Sequence, residues 1–102
     1  MCMINSVPSF LMGQILATPG ALEALQAAGE HAGTYLDRHS KGDWGEVDAD
    51  DWKLNDESLT GGARLVSAYV LKHGTTRIWV ITEAVGDDGR RASTTVLLPE
   101  DY

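Results

Sequence analysis

The hydrophobic pattern of the chain changes its period at Ala63, and this change limits the possible folds more than any other feature. Before Ala63 the apolar side chains recur about every 3.6 residues, which is the spacing of amphipathic helices. After Ala63 the β-branched and aromatic residues fall in short runs with a period of two, which is typical of strands. The order predicts an α+β fold, in which two or three short N-terminal helices pack on a C-terminal three-stranded antiparallel β-meander.

Two short helices are indicated ahead of the acidic part of the chain. The first is predicted to follow Thr18 as N-cap, with Pro19 in its first turn and Gly29 at its end. The second is predicted to begin near Thr34 and to stop at Gly42, after a run of cations that suits a helix C-terminus. Each helix carries a small apolar patch, which indicates that one side of it is buried.

The most acidic part of the chain is residues 43–57, where seven acids and one lysine give a local charge of −6 (−7 + 1). Asp48 is placed to cap a third helix, and Gly61 and Gly62 would end it. Trp52 on this helix is interpreted as an inward-facing anchor. A helix start benefits from only two or three carboxylates, so capping leaves the others unexplained.

Three runs of strand length follow, at residues 63–72, 75–85 and 91–99. They are separated by a turn at His73 and by the GDDG turn at residues 86–89, both of hairpin type. The pattern predicts that the three strands form an antiparallel meander. The register of the first hairpin stays open by two residues, but both choices keep the same side chains on the same face.

The alternation divides the strand residues between two faces of the sheet. One face would carry Val66, Ala68, Val70, Trp79, Ile81, Val96 and Leu98. The other would carry Leu65, Leu71, Ile78, Val80 and Leu97 together with Ser67, Tyr69, Thr82, Ser93 and Thr95. We expect the helices to pack on the first face. The second face is too apolar to be wholly solvated, so we expect the N-terminal arm, a helix or a second copy of the chain to cover part of it.

A chain of 102 residues is expected to form one domain. We divide it into a flexible arm over residues 1–12 and a single domain over residues 13–102. Cys2 is the only cysteine, so no intramolecular disulfide can form, which fits the reducing cytoplasm. The opening segment lacks the basic start of a signal peptide and the ~20 apolar residues of a membrane span, so no membrane association is expected.

The charge balance points to the kind of partner. Fifteen acids against eight bases give a net charge of −7 and a pI near 4.7. A surface of this charge repels phosphate backbones, which argues against general binding of nucleic acids. A protein partner with a basic surface is the expected alternative, and a homodimer is a further candidate because of the mixed sheet face.

Six blocks of the sequence carry a resemblance to known proteins. The blocks are GQILATPGALEAL (13–25), RHSKGDWG (38–45), Asn55, RLVSAY (64–69), IWVITE (78–83) and STTVLLPEDY (93–102). In this order they resemble a family of small bacterial proteins usually labelled plasmid-related, which travel on plasmids and integrated mobile elements. The resemblance implies a setting on mobile DNA and no agreed activity. The turn VGDDGRRA at residues 85–92 departs from the family by being longer.

No metal or cofactor site is predicted. The acids of DADD at residues 48–51 are spaced as in a calcium-binding loop. However, Trp52 stands where such a loop needs a ligand, Lys53 where it needs a glycine, and Leu59 where it needs a glutamate. The three histidines have no metal-binding spacing with one another or with Cys2.

A small metal-independent ribonuclease or toxin-like enzyme is the alternative function. His39 would be its general acid or base, with Arg64, Tyr69 and Thr95 beside it on the sheet. The net charge opposes RNA binding, and Arg64 has an equally good explanation as a cross-strand partner of Glu83. Catalysis is therefore the second choice.

The preferred interpretation is a small acidic, non-enzymatic protein-binding module of a mobile genetic element. The residues predicted to bind the partner are Asp43, Trp44, Glu46, Asp50 and Asp51. Their carboxylates would steer a basic partner into place, and an aromatic side chain would supply binding energy. An inhibitor of a host defence complex, of the anti-restriction or anti-CRISPR type, or of another nucleic-acid-handling complex would fit this description.

Overall fold

A computed structural model describes residues 8–72 and 74–102. His73, predicted to be a turn residue, and Cys2 lie outside the described residues. The elements in chain order are strand β1 (Gln14–Ala17), helix α1 (Pro19–Ala28), helix α2 (Ala32–Ser40), helix α3 (Ala49–Gly61), strand β2 (Leu65–Val70), strand β3 (Arg77–Thr82), strand β4 (Ser93–Leu97) and a 3-10 turn (Pro99–Asp101). The predicted α+β class is confirmed. No helix in the described part of the chain is long and apolar enough to cross a membrane.

The sheet is mixed and has four strands in the order β1-β4-β3-β2. Strands β2, β3 and β4 form the predicted antiparallel meander, but β1 adds a parallel strand beside β4, with Ile15 opposite Thr94. The prediction of three antiparallel strands is therefore wrong in number and in direction. Four residues between Gly13 and Thr18 are too few to display a period of two, so β1 left no strand signal in the sequence.

The caps predicted for α1 and α3 are confirmed. The hydroxyl of Thr18 accepts a hydrogen bond from the N–H of Ala21 at 3.2 Å, and the carboxylate of Asp48 accepts one from the N–H of Asp51 at 2.8 Å. Helix α1 ends at Gly29, and α3 ends at Gly62, each in a left-handed conformation. Helix α2 begins at Ala32, two residues before the predicted start, and no side chain caps it.

The helices pack on the opposite face of the sheet from the one expected. Helices α1 and α2 cover the core face, which holds Leu65, Ser67, Tyr69, Ile78, Val80, Thr82, Thr94 and Val96. The other face, which we call the Trp79 face, holds Val66, Ala68, Val70, Trp79, Ile81, Thr95 and Leu97. Both faces are rich in apolar residues, so alternation alone could not tell which one the helices bury.

Strand β4 is shifted by one residue from the predicted arrangement. Val96 lies opposite Val80 on the core face, although the sequence placed it beside Trp79. Thr94 lies opposite Thr82, and Thr95, which was expected on the same face as Thr82, lies on the Trp79 face. A shift of one residue in register moves every side chain of a strand to the other face of the sheet. The one-residue error therefore placed all the side chains of β4 on the wrong face.

The β2 edge of the sheet is closed by side-chain and loop contacts. The Nδ2 of Asn55 in α3 donates to the carbonyl of Val66 at 2.8 Å, and its Oδ1 accepts from the N–H of Val66 at 3.1 Å. Further along the edge, Ala68 N–H donates to the carbonyl of Trp44, and Glu46 N–H donates to the carbonyl of Ala68. These contacts satisfy backbone groups that an open edge would offer to other chains.

Arg91 joins the β3–β4 hairpin to helix α3 from a buried position. Its guanidinium donates to the carbonyls of Ser58, Ala63 and Glu83 at 2.7 to 3.1 Å. Burial lowers the pKa of Arg91. Arg91 stands in the long turn at residues 85–92, and the structure uses it as an internal cross-link.

Candidate functional site

The candidate site is a groove of about 510 Å³ that runs along the Trp79 face beside the N-terminus of α3. Its lining consists of Glu46, Val47, Asp48, Asp51, Arg64, Val66, Ala68, Trp79, Ile81 and Tyr102. The groove has an apolar floor, one acidic wall and one wall that is aromatic and cationic.

The floor is formed by two cross-strand pairs of β2 and β3. Val66 lies opposite Ile81, and Ala68 lies opposite Trp79. Ile81 and Ala68 are nearly buried, while Val66 and Trp79 are half-exposed. Paired apolar side chains that keep an open side can bury the apolar side chains of a ligand.

The acidic wall depends on Gly45, which brings the preceding loop against strand β2. Gly45 has a φ of +75°, and a Cβ atom there would lie 2.1 Å from the carbonyl oxygen of Ala68, so no larger residue fits. The N–H of Glu46 donates to the same carbonyl at 2.6 Å, which leaves the Glu46 side chain exposed at the rim. Asp48 and Asp51, at the start of α3, continue the row of carboxylates along the groove.

Tyr102, which follows the 3-10 turn, also lines the groove, together with Arg64. The Tyr102 hydroxyl accepts a hydrogen bond from Arg64 at 2.7 Å, and the guanidinium of Arg64 lies 5.6 Å from the centre of the Tyr102 ring. The Tyr102 and Trp79 rings meet edge to face at 5.8 Å.

The structure separates the five predicted binding residues. Trp44 is completely buried, and its indole N–H donates to Asp56 at 2.9 Å. Asp43 is paired with Arg38 at 2.7 Å, and this hydrogen bond is the main reason that the pKa of Asp43 is lowered. Glu46 and Asp51 line the groove. Asp50 is exposed in the first turn of α3 but does not line it.

His39 lies under the core face in a chain of buried hydrogen bonds. Its Nδ1 is 2.5 Å from the Ser67 hydroxyl, and its Nε2 is 2.8 Å from the Thr82 hydroxyl. Thr82 contacts the Thr94 hydroxyl at 2.6 Å, and Thr94 donates to the carbonyl of Met12 at 2.8 Å.

The direction of this chain defines the protonation of His39. A carbonyl can only accept, so the proton of Thr94 is used on Met12, and Thr82 must donate to Thr94. His39 Nε2–H then donates to Thr82, and in a neutral ring Nδ1 accepts from Ser67. Burial, and secondarily the positive charge of Arg91, lowers the pKa of His39 to about 4, which agrees with a neutral ring.

The structure does not bring the four residues of the ribonuclease hypothesis together. His39 and Tyr69 lie under the core face, both nearly or completely buried, and the Tyr69 hydroxyl donates to the carbonyl of Asp43. Arg64 borders the groove, and Thr95 lies on the Trp79 face, on the other side of the sheet. The histidine therefore has a role in packing, with no open space beside it for a substrate.

Sequence reasoning missed most of the groove. Val66, Ala68, Trp79 and Ile81 were assigned to a face covered by helices, and Asp48 was explained as a cap alone. The one signal that pointed here was the excess of acids after Gly45. Among the described residues no group of three His, Cys, Asp or Glu side chains is placed to hold a metal ion.

Comparison of the chain with protein-family models, with curated proteins and with solved structures finds no match.

Proposed function

We propose that the chain is a non-enzymatic protein-binding module whose binding surface is the groove on the Trp79 face. The observation that supports this function is a groove that combines an apolar floor with three carboxylates, Glu46, Asp48 and Asp51, in its lining. A partner that presents an apolar side chain flanked by arginine or lysine would fit both parts. The floor would supply binding energy, and the carboxylates would steer and orient the partner.

The partner is proposed to be a protein with a basic surface. The net charge of −7 adds a long-range attraction for such a surface and opposes direct binding of nucleic acid. Basic surfaces are typical of proteins that handle nucleic acids. Combined with the resemblance to plasmid-related proteins, this suggests a cytoplasmic inhibitor of a host defence or other nucleic-acid-handling complex, of the anti-restriction or anti-CRISPR type.

The test uses two variants with the same net charge. Glu46→Gln, Asp48→Asn and Asp51→Asn together remove the carboxylates of the groove, and asparagine at position 48 still caps α3. The control combines Glu23→Gln, Glu57→Gln and Asp87→Asn, which are exposed and lie outside the groove lining. Both triple variants change the net charge from −7 to −4 (−7 + 3).

The measurement is quantitative capture of host proteins, followed by titration of the purified partner. We expect the groove variant to bind at least ~10-fold more weakly than the wild type, and the control to bind within ~3-fold of it. Trp79→Ala should weaken binding as well, because it removes part of the floor. A partner that binds both triple variants equally would show that only net charge matters and would reject the groove.

The inhibitor role has a separate test. A plasmid that encodes the chain is challenged in cells with an active restriction or CRISPR system, and plasmid survival is compared between wild type and groove variant. Protection by the wild type and its loss in the groove variant would support the role. Equal survival with and without the chain, against each defence system found in the host, would contradict it.

A further inference from the structure

Strand β1 is an open edge of the sheet. The N–H groups of Gln14 and Thr18 donate to the carbonyls of Ala92 and Val96 in β4. Because backbone groups alternate sides along a strand, the N–H and C=O groups of Ile15 and Ala17 point away from β4. Within the described part of the chain, no backbone hydrogen bond of these two residues is found on that side.

This edge lacks the protection that is usual for natural edge strands. From Pro8 to Leu22 the chain carries no charged side chain. Ile15 is 46% exposed and Leu16 is 42% exposed, although both are strongly apolar. Edge strands are commonly guarded by lysine, proline or a bulge, and an unguarded apolar edge favours pairing with another strand.

We propose that β1 pairs with β1 of a second copy of the chain in an antiparallel arrangement, so that two four-stranded sheets form one eight-stranded sheet. A second copy fits better than a basic partner, because an uncharged strand has no carboxylate to offer to a cationic peptide. It also presents a neutral surface on which two chains of net charge −7 can approach each other.

The state of the opposite edge of the sheet, at β2, determines the symmetry of the proposed dimer. Asn55 and the segment around Gly45 already occupy the open side of β2, so β1 cannot pair head to tail with β2 of the next copy. Only pairing of β1 with itself remains, which has twofold symmetry and closes at two copies.

The register of the proposed pairing between two β1 strands follows from the backbone groups that point away from β4. Ile15 of one copy pairs with Ala17 of the other, and their outward N–H and C=O groups make four hydrogen bonds across the twofold axis. Leu16 then faces Leu16 of the second copy on the Trp79 face, as a non-hydrogen-bonded pair with Cβ atoms about 5 Å apart. A strand of four residues buries little area, so the dimer depends on protein concentration.

The experiment is sedimentation equilibrium on the full chain at concentrations up to ~1 mM. We expect a monomer–dimer equilibrium in the wild type. Leu16→Lys places like charges opposite each other and should lower the association constant at least ~10-fold. The control, Leu54→Lys, introduces the same charge at an exposed leucine of α3 and should leave the association constant within ~3-fold. Circular dichroism verifies that both variants are folded.

A second variant tests the register independently. Leu16→Cys in a Cys2→Ser background should form a disulfide-linked dimer on oxidation, because the two thiols would meet at the twofold axis. Leu54→Cys in the same background should not form it under the same conditions. A wild type that stays monomeric up to ~1 mM would overturn the proposal and leave the edge to a different partner. A dimer that Leu16→Lys leaves intact would overturn it too.

Discussion

At the scale of single residues, His39 shows how strongly the fold changes the chemistry of a side chain. It is completely buried between Ser67 and Thr82, and it packs edge to face against the rings of Phe10 and Trp44. Burial and the positive charge of Arg91 both lower the pKa of His39. Protonation of His39 should therefore oppose folding.

The first prediction concerns the pH dependence of stability. The pKa of His39 is about 4 in the folded chain and near its ordinary value of 6.5 when unfolded. Between these values the unfolded chain binds the proton and the folded chain does not, so the contribution is complete above pH 6.5 and is lost as the pH falls towards 4. The difference between the two pKa values corresponds to ~3 kcal/mol.

The measurement compares the free energy of unfolding of wild type and His39→Gln by urea titration at pH 7 and near pH 4. The difference between the two proteins should shrink as the pH falls, because the wild type alone loses the His39 contribution. Titrating carboxylates such as Asp43 are common to both proteins and cancel. His31→Gln, at an exposed position, is the control. A cost of His39→Gln that is the same at both pH values would contradict the buried neutral ring.

At the scale of secondary-structure elements, Asn55 makes α3 part of the sheet. Its amide imitates a neighbouring strand by donating to and accepting from the backbone of Val66. The helix therefore positions Asp48 and Asp51 beside the groove and closes the β2 edge at the same time. Sequence reasoning gave Asn55 no role.

The second prediction is that Asn55→Asp destabilises the fold. A carboxylate of the same size can still accept from the N–H of Val66, but it cannot donate to the carbonyl of Val66. One of its negatively charged oxygens would instead lie against that carbonyl oxygen and repel it. We expect a loss of about 1–3 kcal/mol in the free energy of unfolding at pH 7, measured by urea titration. Leu54→Asp adds the same charge to an exposed position of α3 and should cost clearly less. Equal losses would mean that the two hydrogen bonds contribute nothing.

At the scale of the whole molecule, the ring of Phe10 connects the N-terminal segment to the packed domain. Phe10 is half-buried and stacks near Trp44, with ring centres 6.3 Å apart, and meets His39 edge to face at 5.4 Å. The guanidinium of Arg91 lies 5.8 Å from the centre of its ring. This ring connects the N-terminal segment, α2, the loop before α3 and the β3–β4 hairpin.

The third prediction is that Phe10→Ala lowers the stability of the whole domain by about 1–3 kcal/mol. Because Phe10 contacts Trp44, the emission of the native protein should also shift, so thermal unfolding is followed by tryptophan fluorescence. Leu11→Ala removes the neighbouring side chain, which is 81% exposed, and should change stability by less than ~0.5 kcal/mol. An unchanged melting temperature for Phe10→Ala would show that the segment is not coupled to the core.

The parts of the fold that the sequence predicted correctly depend on interactions between residues close in the chain. The caps at Thr18 and Asp48 and the ends at Gly29 and Gly62 act within one helical turn, so their residue types are sufficient to find them. The period of two after Ala63 likewise reports local strand geometry. The acidic wall was partly recognised for the same reason, since Glu46 and Asp51 are close in sequence.

The remaining features depend on contacts between distant parts of the chain. Strand β1 exists because β4, some eighty residues later, offers it a partner, as the bond between Thr94 and Met12 at a separation of 82 residues illustrates. The choice of core face and the burial of Trp44 follow from how helices and strands share the available apolar surface. Several arrangements satisfy the same local pattern, and only the packing of the complete chain selects among them.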